Sequence, residues 1–561
     1  MATDTAVRAL AAAAALEPGN VPLRVRLAQA RKATGDVNGA VAELAATVTA
    51  APASADAWLA LAGLLMEIEL ATPSGRARSG TPPLVHALAA FEQALVLAPN
   101  APAALAPAAM AHAYACDWVR AEALVAQLAA VAREPSRPFP VSPVMAAALL
   151  DDPALQRRAI ADYAAVALPT PAPRAPAVIR ERGTRLRVGY LSADFHEHAT
   201  AHLAAGLFES HDATRVEAFA YALDRDDGGP MRARLRRAFA HWRDLAEASD
   251  ADAAARIAAD GLDVLVDLKG HTQGSRLGIL AARPAPVQIH YLGFPGTLAW
   301  GGIDALVADG IVVPPGDERH YAEAVLRLPR CYQVNDRGRP RPPAPSRASV
   351  GLPERGLVLA SFNQGYKLGR AYVDAWLDTL ARHDDAVLWL SVPHVPARER
   401  LRAAAAAKGV APGRIVFAPH ARQDEHLARL ACADLALDVL PYGSHTTGSD
   451  ALWCGVPLLT HTGTTFAGRV GTSLADAVGL RELAVDSLDG YRTTLAALAA
   501  DRERLAGYRR HLERGRLGFP LFDTAGFARD FERLLEDAAN RDFAASGQAV
   551  PARPAGSAEL P

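Results

Sequence analysis

The spacing of apolar and polar positions changes character twice along the chain. In the first part, small and apolar residues recur at helical intervals. Leu27 and Ala28 are followed by a Gly35-Asp36 turn, by Ala40 in a second helix, and by Pro52 as a stop. A second unit starts near Ala55 with Trp58, Leu61 and Ala62 in the equivalent places. It resumes with Ala87, Phe91 and Ala94 and ends at Pro99. A third unit sets Ala108, Ala109, Asp117, Ala121 and Val125 in the same frame. A period of roughly 34 residues belongs to helix–turn–helix repeats. Small residues let the paired helices approach, and proline ends each hairpin. Residues 1–133 are predicted to form such an arm, with a plain Ala-rich bundle as the alternative. An insertion rich in Gly, Pro, Ser and Arg, Thr72 to Leu84, interrupts the second unit.

Residues 134–184 read as a proline-rich connector, with one short helical stretch, Met145 to Leu168, between its two proline runs. From Leu186 strands and helices alternate. Strands are predicted at Leu186–Ser192, Val264–Leu268, Val287–Leu292 and Ala305–Ala308. After the Arg339–Arg347 linker the pattern restarts, at Leu357–Ser361, Val387–Ser391, Ile415–Ala418, Leu435–Leu440 and Val456–Thr460. Two successive sets of βα units predict two doubly wound α/β domains, 185–345 and 346–540, with a disordered tail over 541–561. In such sheets ligands sit beyond the C-terminal strand ends, so a cleft between two of them suits a substrate with two halves.

Composition narrows the function classes. The 59 Lys+Arg and 61 Asp+Glu nearly cancel, which removes the global electrostatic case for a nucleic-acid binder. Cys116, Cys331, Cys432 and Cys454 are scattered without zinc spacing and read as thiols of a reducing compartment. No apolar run has the length of a membrane span and no export signal is legible, so a cytoplasmic protein without membrane contact is expected.

Candidate chemistry lies just past the strand ends. The segment Pro441 to Asp450 runs from a strand through Gly443 and small hydroxyl residues into a helix that begins near Thr447. Unpaired N–H groups and the positive end of the helix dipole favour phosphate there, and His445, Thr446 and Thr447 add donors, although the same residues also serve ordinary N-capping. Lys367, in the loop after another strand, is a compact cation suited to a diphosphate. His198, on the other domain, could act as a general base, hold a substrate hydroxyl, or be a satisfied structural histidine. His196-Glu197 starts an HExxH pattern that fails at Thr200, and Asp224-Arg225-Asp226 matches D-x-D but reads as a surface loop. No metal site is expected.

Several longer motifs in order carry a resemblance over about Arg185 to Asp537. They are Arg283-Pro284-Ala285-Pro286-Val287-Gln288, Gly293-Phe294-Pro295-Gly296-Thr297, Asn363-Gln364-Gly365-Tyr366-Lys367 and His445-Thr446-Thr447-Gly448-Ser449-Asp450. Together they resemble the O-linked N-acetylglucosamine transferases, and the arm resembles their tetratricopeptide repeats. The resemblance implies an N-terminal all-α repeat arm followed by a GT-B body of two Rossmann-like domains, working without a metal ion. Residue by residue, His198 resembles the family's active-site histidine, often proposed as general base. Lys367 is similar to the lysine that steadies the leaving UDP, with Gln364 beside it. His445, Thr446 and Thr447 resemble the phosphate-binding helix start, and Asp450 the carboxylate that holds the ribose. Ala421, His426 and Arg429 resemble the uracil-binding set. Three departures stand out: Ala199 replaces a proline, Gln423 stands where a lysine reaches the ribose in the animal enzymes, and Leu298-Ala299-Trp300 replaces a small polar run.

The expected function is thus inverting, metal-independent transfer of a sugar from a UDP-sugar, N-acetylglucosamine first among them, to Ser/Thr hydroxyls of proteins. The arm would bind the protein or peptide acceptor, and no further cofactor is expected. The alternatives are a GDP-fucose or UDP-glucose transferase of the same fold, and a catalytically weak interaction scaffold.

Overall fold

The computed structural model describes residues 2–71, 81–174 and 184–543. Most of the Thr72–Leu84 insertion, residues 175–183 of the connector and residues 544–561 of the tail lie outside them.

Among the described residues the arm is built from α1 (Ala2–Leu16), α2 (Val21–Ala33), α3 (Val37–Ala50), α4 (Ala55–Ala71), α5 (Pro83–Leu97), α6 (Pro102–Tyr114) and α7 (Trp118–Ala132). They pair as the repeat frame predicts, α2 with α3, α4 with α5 and α6 with α7. The frame's alanines, Ala40, Ala62, Ala87, Ala94, Ala108 and Ala109, are fully buried between helices. The α2–α3 turn is made by Gly35 in the left-handed region, followed by Asp36, whose Oδ1 accepts from Gly39 N–H at 2.9 Å and caps α3. At the equivalent α6–α7 turn, Cys116 takes the left-handed conformation (φ 52°), which costs a non-glycine residue energy.

The connector differs from its prediction. Its helical stretch is two helices, α8 (Pro143–Leu149) and α9 (Pro153–Ala167). Asp152 caps the second by accepting from Ala154 and Leu155 N–H, and Pro153 suits the first helical position but no interior one. Both pack onto the arm: α8 on α6, and α9 on α7. Buried Phe139 donates its N–H to Asp162, and Arg158 donates to Glu134 and Arg137 carbonyls. The segment extends the helical array instead of acting as a spacer.

The body holds two parallel sheets. The first contains β1 (Leu186–Ser192), β2 (Val216–Ala222), β3 (His241–Asp244), β4 (Val264–Asp267), β5 (Val287–His290), β6 (Ala305–Asp309) and β7 (Ala324–Leu328), ordered β3-β2-β1-β4-β5-β6-β7. The second contains β8 (Val358–Ser361), β9 (Val387–Leu390), β10 (Ile415–Phe417), β11 (Leu435–Leu437), β12 (Leu458–His461) and β13 (Ala484–Val485), ordered β10-β9-β8-β11-β12-β13. Their central strands are mostly apolar and almost wholly buried, as covered parallel sheets require. Strand order reverses between β1 and β4, and again between β8 and β11. The final helix, Thr524–Ala539, crosses back to the first sheet. Its Phe531 packs on Tyr291 at 5.0 Å between ring centroids, and its buried Glu532 pairs with His211 at 3.0 Å. The predicted 346–540 unit therefore gives its last helix to the other domain.

Candidate active site

The predicted site residues lie at the two strand-order reversals. His198 and Lys269 follow the adjacent strands β1 and β4; Lys367 and the Tyr442–Thr446 segment follow β8 and β11. At such a point neighbouring loops leave in opposite directions and open a crevice. Here two crevices face each other. One cavity of about 270 Å³ is lined from the first domain by His198, Thr200, Leu292, Gly293, Tyr332 and Gln333. From the second, Gln364, Lys367, Tyr442, His445, Thr446 and Thr447 line it. A second cavity, of about 720 Å³, shares His198 and Ala199 and runs to Ala421, Gln423 and Arg339.

On the first domain, His198 is the N-cap of the helix Ala199–Glu209. Its Nδ1 accepts from Thr200 N–H at 3.2 Å. Asp194 lies 3.4 Å from the same nitrogen, with both carboxylate oxygens held by buried Lys269 at 2.8 Å and one also taking the Thr200 hydroxyl. Burial lowers the half-buried imidazole's pKa, partly offset by Asp194 and reinforced by Lys269. The neutral ring with Nδ1 as acceptor carries its proton on Nε2. Gly293 follows Leu292, which lies in the left-handed region (φ 70°), and a Cβ at Gly293 would stand 2.1 Å from the Leu268 carbonyl oxygen. Only glycine fits that close approach at the cavity wall.

On the second domain, the Lys367 ammonium donates to the Gly443 carbonyl at 3.0 Å and sits 4.1 Å above the Tyr442 ring. Burial pulls its pKa down to about 8. The helix Thr446–Trp453 opens toward it. Thr447 donates its hydroxyl to Asn363, whose amide also holds Ser444, so one buried asparagine braces the helix start. His445 departs from its expected part as an added donor. Burial and Lys367 push its pKa down to about 3, and the N–H of its neutral ring faces the Ala467 carbonyl, with Nε2 3.2 Å from that oxygen. Its ring stacks on Tyr442, 4.8 Å between centroids.

The remaining expected residues line the larger cavity or stand behind it. Buried Asp450 pairs with Arg339 at 2.7 Å and accepts from Gln423 Nε2 at 3.3 Å, so Gln423 still reaches the carboxylate beside the cavity. His426 meets Phe362 edge-on at 5.1 Å, and the Arg429 guanidinium lies 5.3 Å over the same ring while donating to the Pro419 carbonyl. Ala421 lines the larger cavity. Leu298-Ala299-Trp300 is buried: Glu323 accepts from the Leu298 and Ala299 N–H groups, and the Trp300 indole donates to Pro169. That run is anchored to the connector. The D-x-D pair is absorbed by an arginine, since Asp224 and Asp226 both contact Arg232.

Asn363, Tyr442, Asp194 and Lys269 stand out in the sequence as residues just past strand ends but carry no assigned role there, and Tyr332, Gln333 and Arg339 were not singled out. Asn363 and Tyr442 sit inside recognised motifs. Asp194 and Lys269 also follow strand ends, the signal that marked the others. Arg339 and Gln333 carry no local signal, because only the closing of the two domains brings them to the cavities.

Two parallel sheets with facing strand-order reversals, preceded by paired helical repeats, define a GT-B body carrying a tetratricopeptide arm. The chain belongs to glycosyl transferase family 41, whose model matches residues 167–342 and 341–531, and a tetratricopeptide repeat model matches residues 2–65. It is 38% identical over 364 residues to an Arabidopsis thaliana protein named a probable UDP-N-acetylglucosamine–peptide N-acetylglucosaminyltransferase, covering 64% of this chain and 37% of that one. It is 27% identical over 468 residues to the UDP-N-acetylglucosamine–peptide N-acetylglucosaminyltransferase of Caenorhabditis elegans, covering 63% and 41%. The chain thus spans less than half the length of these curated relatives. A lysine-to-methionine variant of the O-GlcNAc transferase of Thermobaculum terrenum superposes with a TM-score of 0.72 at 27% identity, over 92% of this chain and 98% of that one.

Proposed function

We propose that this protein transfers N-acetylglucosamine from its UDP derivative to Ser or Thr hydroxyls of proteins, with inversion and without a metal ion. The observation that carries the reading is the single cavity lined by Lys367 and the Thr446–Thr447 helix start from one domain and by His198 from the other. A hydroxyl oxygen attacks the anomeric carbon from the face opposite UDP, the bond to the diphosphate oxygen breaks, and the hydroxyl proton leaves to a base. The Lys367 ammonium and the helix N-terminus meet the charge that grows on the diphosphate, the work a divalent ion does elsewhere. With Nδ1 committed to Thr200, His198 suits donation from Nε2 to a sugar or acceptor oxygen better than proton abstraction. The named activities of the relatives support the choice of donor. The repeats support a protein acceptor held by the arm. Among the described residues no helix is long and apolar enough to cross a membrane; a cytoplasmic location remains part of the proposal.

Calorimetric titration with UDP, GDP and UDP-N-acetylglucosamine, with and without EDTA, tests this. Uridine ligands are expected to bind and GDP not, with no effect of EDTA. Tighter GDP binding would overturn the donor assignment.

Binding should also depend on pH. Lys367 holds a diphosphate only as the ammonium, and its pKa in the free protein is about 8. Affinity for UDP is therefore expected to be level between the terminal phosphate's own pKa, about 6, and that pH, and to fall by up to about tenfold per pH unit above it, until the pKa of the bound state is reached. In Lys367→Ala the fall should vanish; an unchanged profile there would remove the lysine from the diphosphate.

A further inference from the structure

We propose that the turn between α6 and α7 of the repeat arm is a positioning element for Lys367, so that the arm helps to build the donor site as well as to meet the acceptor. The inference rests on the reading of Lys367 as the diphosphate-binding lysine.

Within its own domain the Lys367 backbone is held by short-range bonds of its loop, including Gly369 N–H to the Lys367 carbonyl at 2.8 Å. The loop that carries it has one short 3₁₀ turn, Gly365–Lys367, closed by Lys367 N–H to Gln364 at 2.9 Å and Leu368 N–H to Gly365 at 3.1 Å. The arm holds this loop on both sides of the lysine. Before it, the Tyr114 hydroxyl donates to Gln364 Oε1 at 3.2 Å, and the Tyr114 ring packs on Tyr366 at 5.1 Å. After it, the Trp118 indole N–H donates to the Leu368 carbonyl at 2.6 Å. A Cβ on Gly365 would already touch the Tyr114 carbonyl oxygen at 3.5 Å, so the backbones are close there too.

The turn that presents Tyr114 and Trp118 is itself fixed. Arg400 of the second domain donates to the Ala115 carbonyl at 3.0 Å and lies 3.8 Å from Asp117. Cys116 between them is buried and in the left-handed region, a conformation that persists only where its surroundings impose it. A second tie stands nearby: Glu69 on α4 pairs with His394 at 2.8 Å, and the His394 ring meets Tyr114 edge-on at 5.4 Å. Lysine has a long, rotamer-rich stem, so its backbone must be held before its ammonium can meet a diphosphate without a large entropic cost. Here that holding comes from residues about 250 positions away.

Trp118→Phe keeps an aromatic ring in place, with part of its packing, but removes the indole donor. The experiment is a double-mutant cycle on the full chain, with UDP affinity measured by calorimetry for the wild type, Trp118→Phe, Lys367→Ala and the double variant. Trp118→Phe is expected to weaken UDP about tenfold at an unchanged melting temperature. In the Lys367→Ala background it should cost nothing more, which a general loosening of the fold would not reproduce. Fully additive losses, or wild-type affinity in Trp118→Phe, would overturn the inference. If Trp118→Phe lowers the melting temperature, Tyr114→Phe, which removes one hydroxyl, is judged by the same criteria. A wild-type protein that binds no UDP would bring down the proposed function and this inference together, whereas a binding wild type with an indifferent Trp118→Phe would bring down the inference alone.

Discussion

Lys367→Ala is expected to lower sugar transfer by roughly 10²–10³-fold in turnover, the usual loss on removing one preorganised donor from a developing negative charge. The protein should stay folded. Among the described residues the ammonium meets the Gly443 carbonyl and the Tyr442 ring and feels the charge of Asp438, and its lowered pKa means that burial costs the charged form more than these groups return. No pairing essential to the fold is lost with it. Lys367→Arg should not restore full activity, because a planar fork cannot take the place of a compact ammonium between Gly443 and Tyr442. Single-turnover rates with a peptide acceptor, set beside melting curves of the same variants, check both points. Near-wild-type turnover in Lys367→Ala would end the assignment.

The largest effect on stability is expected beneath His198. Lys269 and Asp194 are both buried, and the ammonium bridges both carboxylate oxygens at 2.8 Å. Lys269→Met leaves that carboxylate uncompensated and should cost about 3–5 kcal/mol, read as a lower denaturant midpoint. Adding Asp194→Asn removes the orphaned charge, preserves an acceptor for the Thr200 hydroxyl and should recover most of the loss. The double variant then separates stability from activity: a folded protein in which His198 has lost the carboxylate 3.4 Å from its Nδ1. A single variant within about 0.5 kcal/mol of wild type would mean that the pair is not buried as described.

Much of the fold was legible because it depends on local chemistry. The strand at Leu186–Ser192 was read to the residue, since its apolar run, interrupted only by half-buried Arg187, has the composition of a strand covered on both faces. β2 was missed because three of the seven residues of Val-Glu-Ala-Phe-Ala-Tyr-Ala are alanine, which dilutes the signal of Val216, Phe219 and Tyr221; β1 and β3 flank it and complete it as a strand. β3 is His-Trp-Arg-Asp at a sheet edge, too short and polar to announce itself. The connector misled for a related reason. Its prolines look like a spacer from sequence, yet two of them begin helices that pack on the arm.

The site divides along the same line. Sequence by itself determined the residue types beyond each strand end, His198, Lys367 and the Thr446–Thr447 helix start among them, because a strand-to-helix turn and its capping residues are set by neighbours a few positions away. Only the tertiary structure decided what those residues do to one another. It committed the His445 ring N–H to Ala467, tied Asp450 to Arg339, fixed Nδ1 of His198 on Thr200, and set Tyr114 and Trp118 of the arm on the Lys367 loop. All but the His198 bond join residues twenty or more positions apart, some across domains. Each depends on burial, and burial follows from how the domains and the arm close on one another, which no short window of the chain contains.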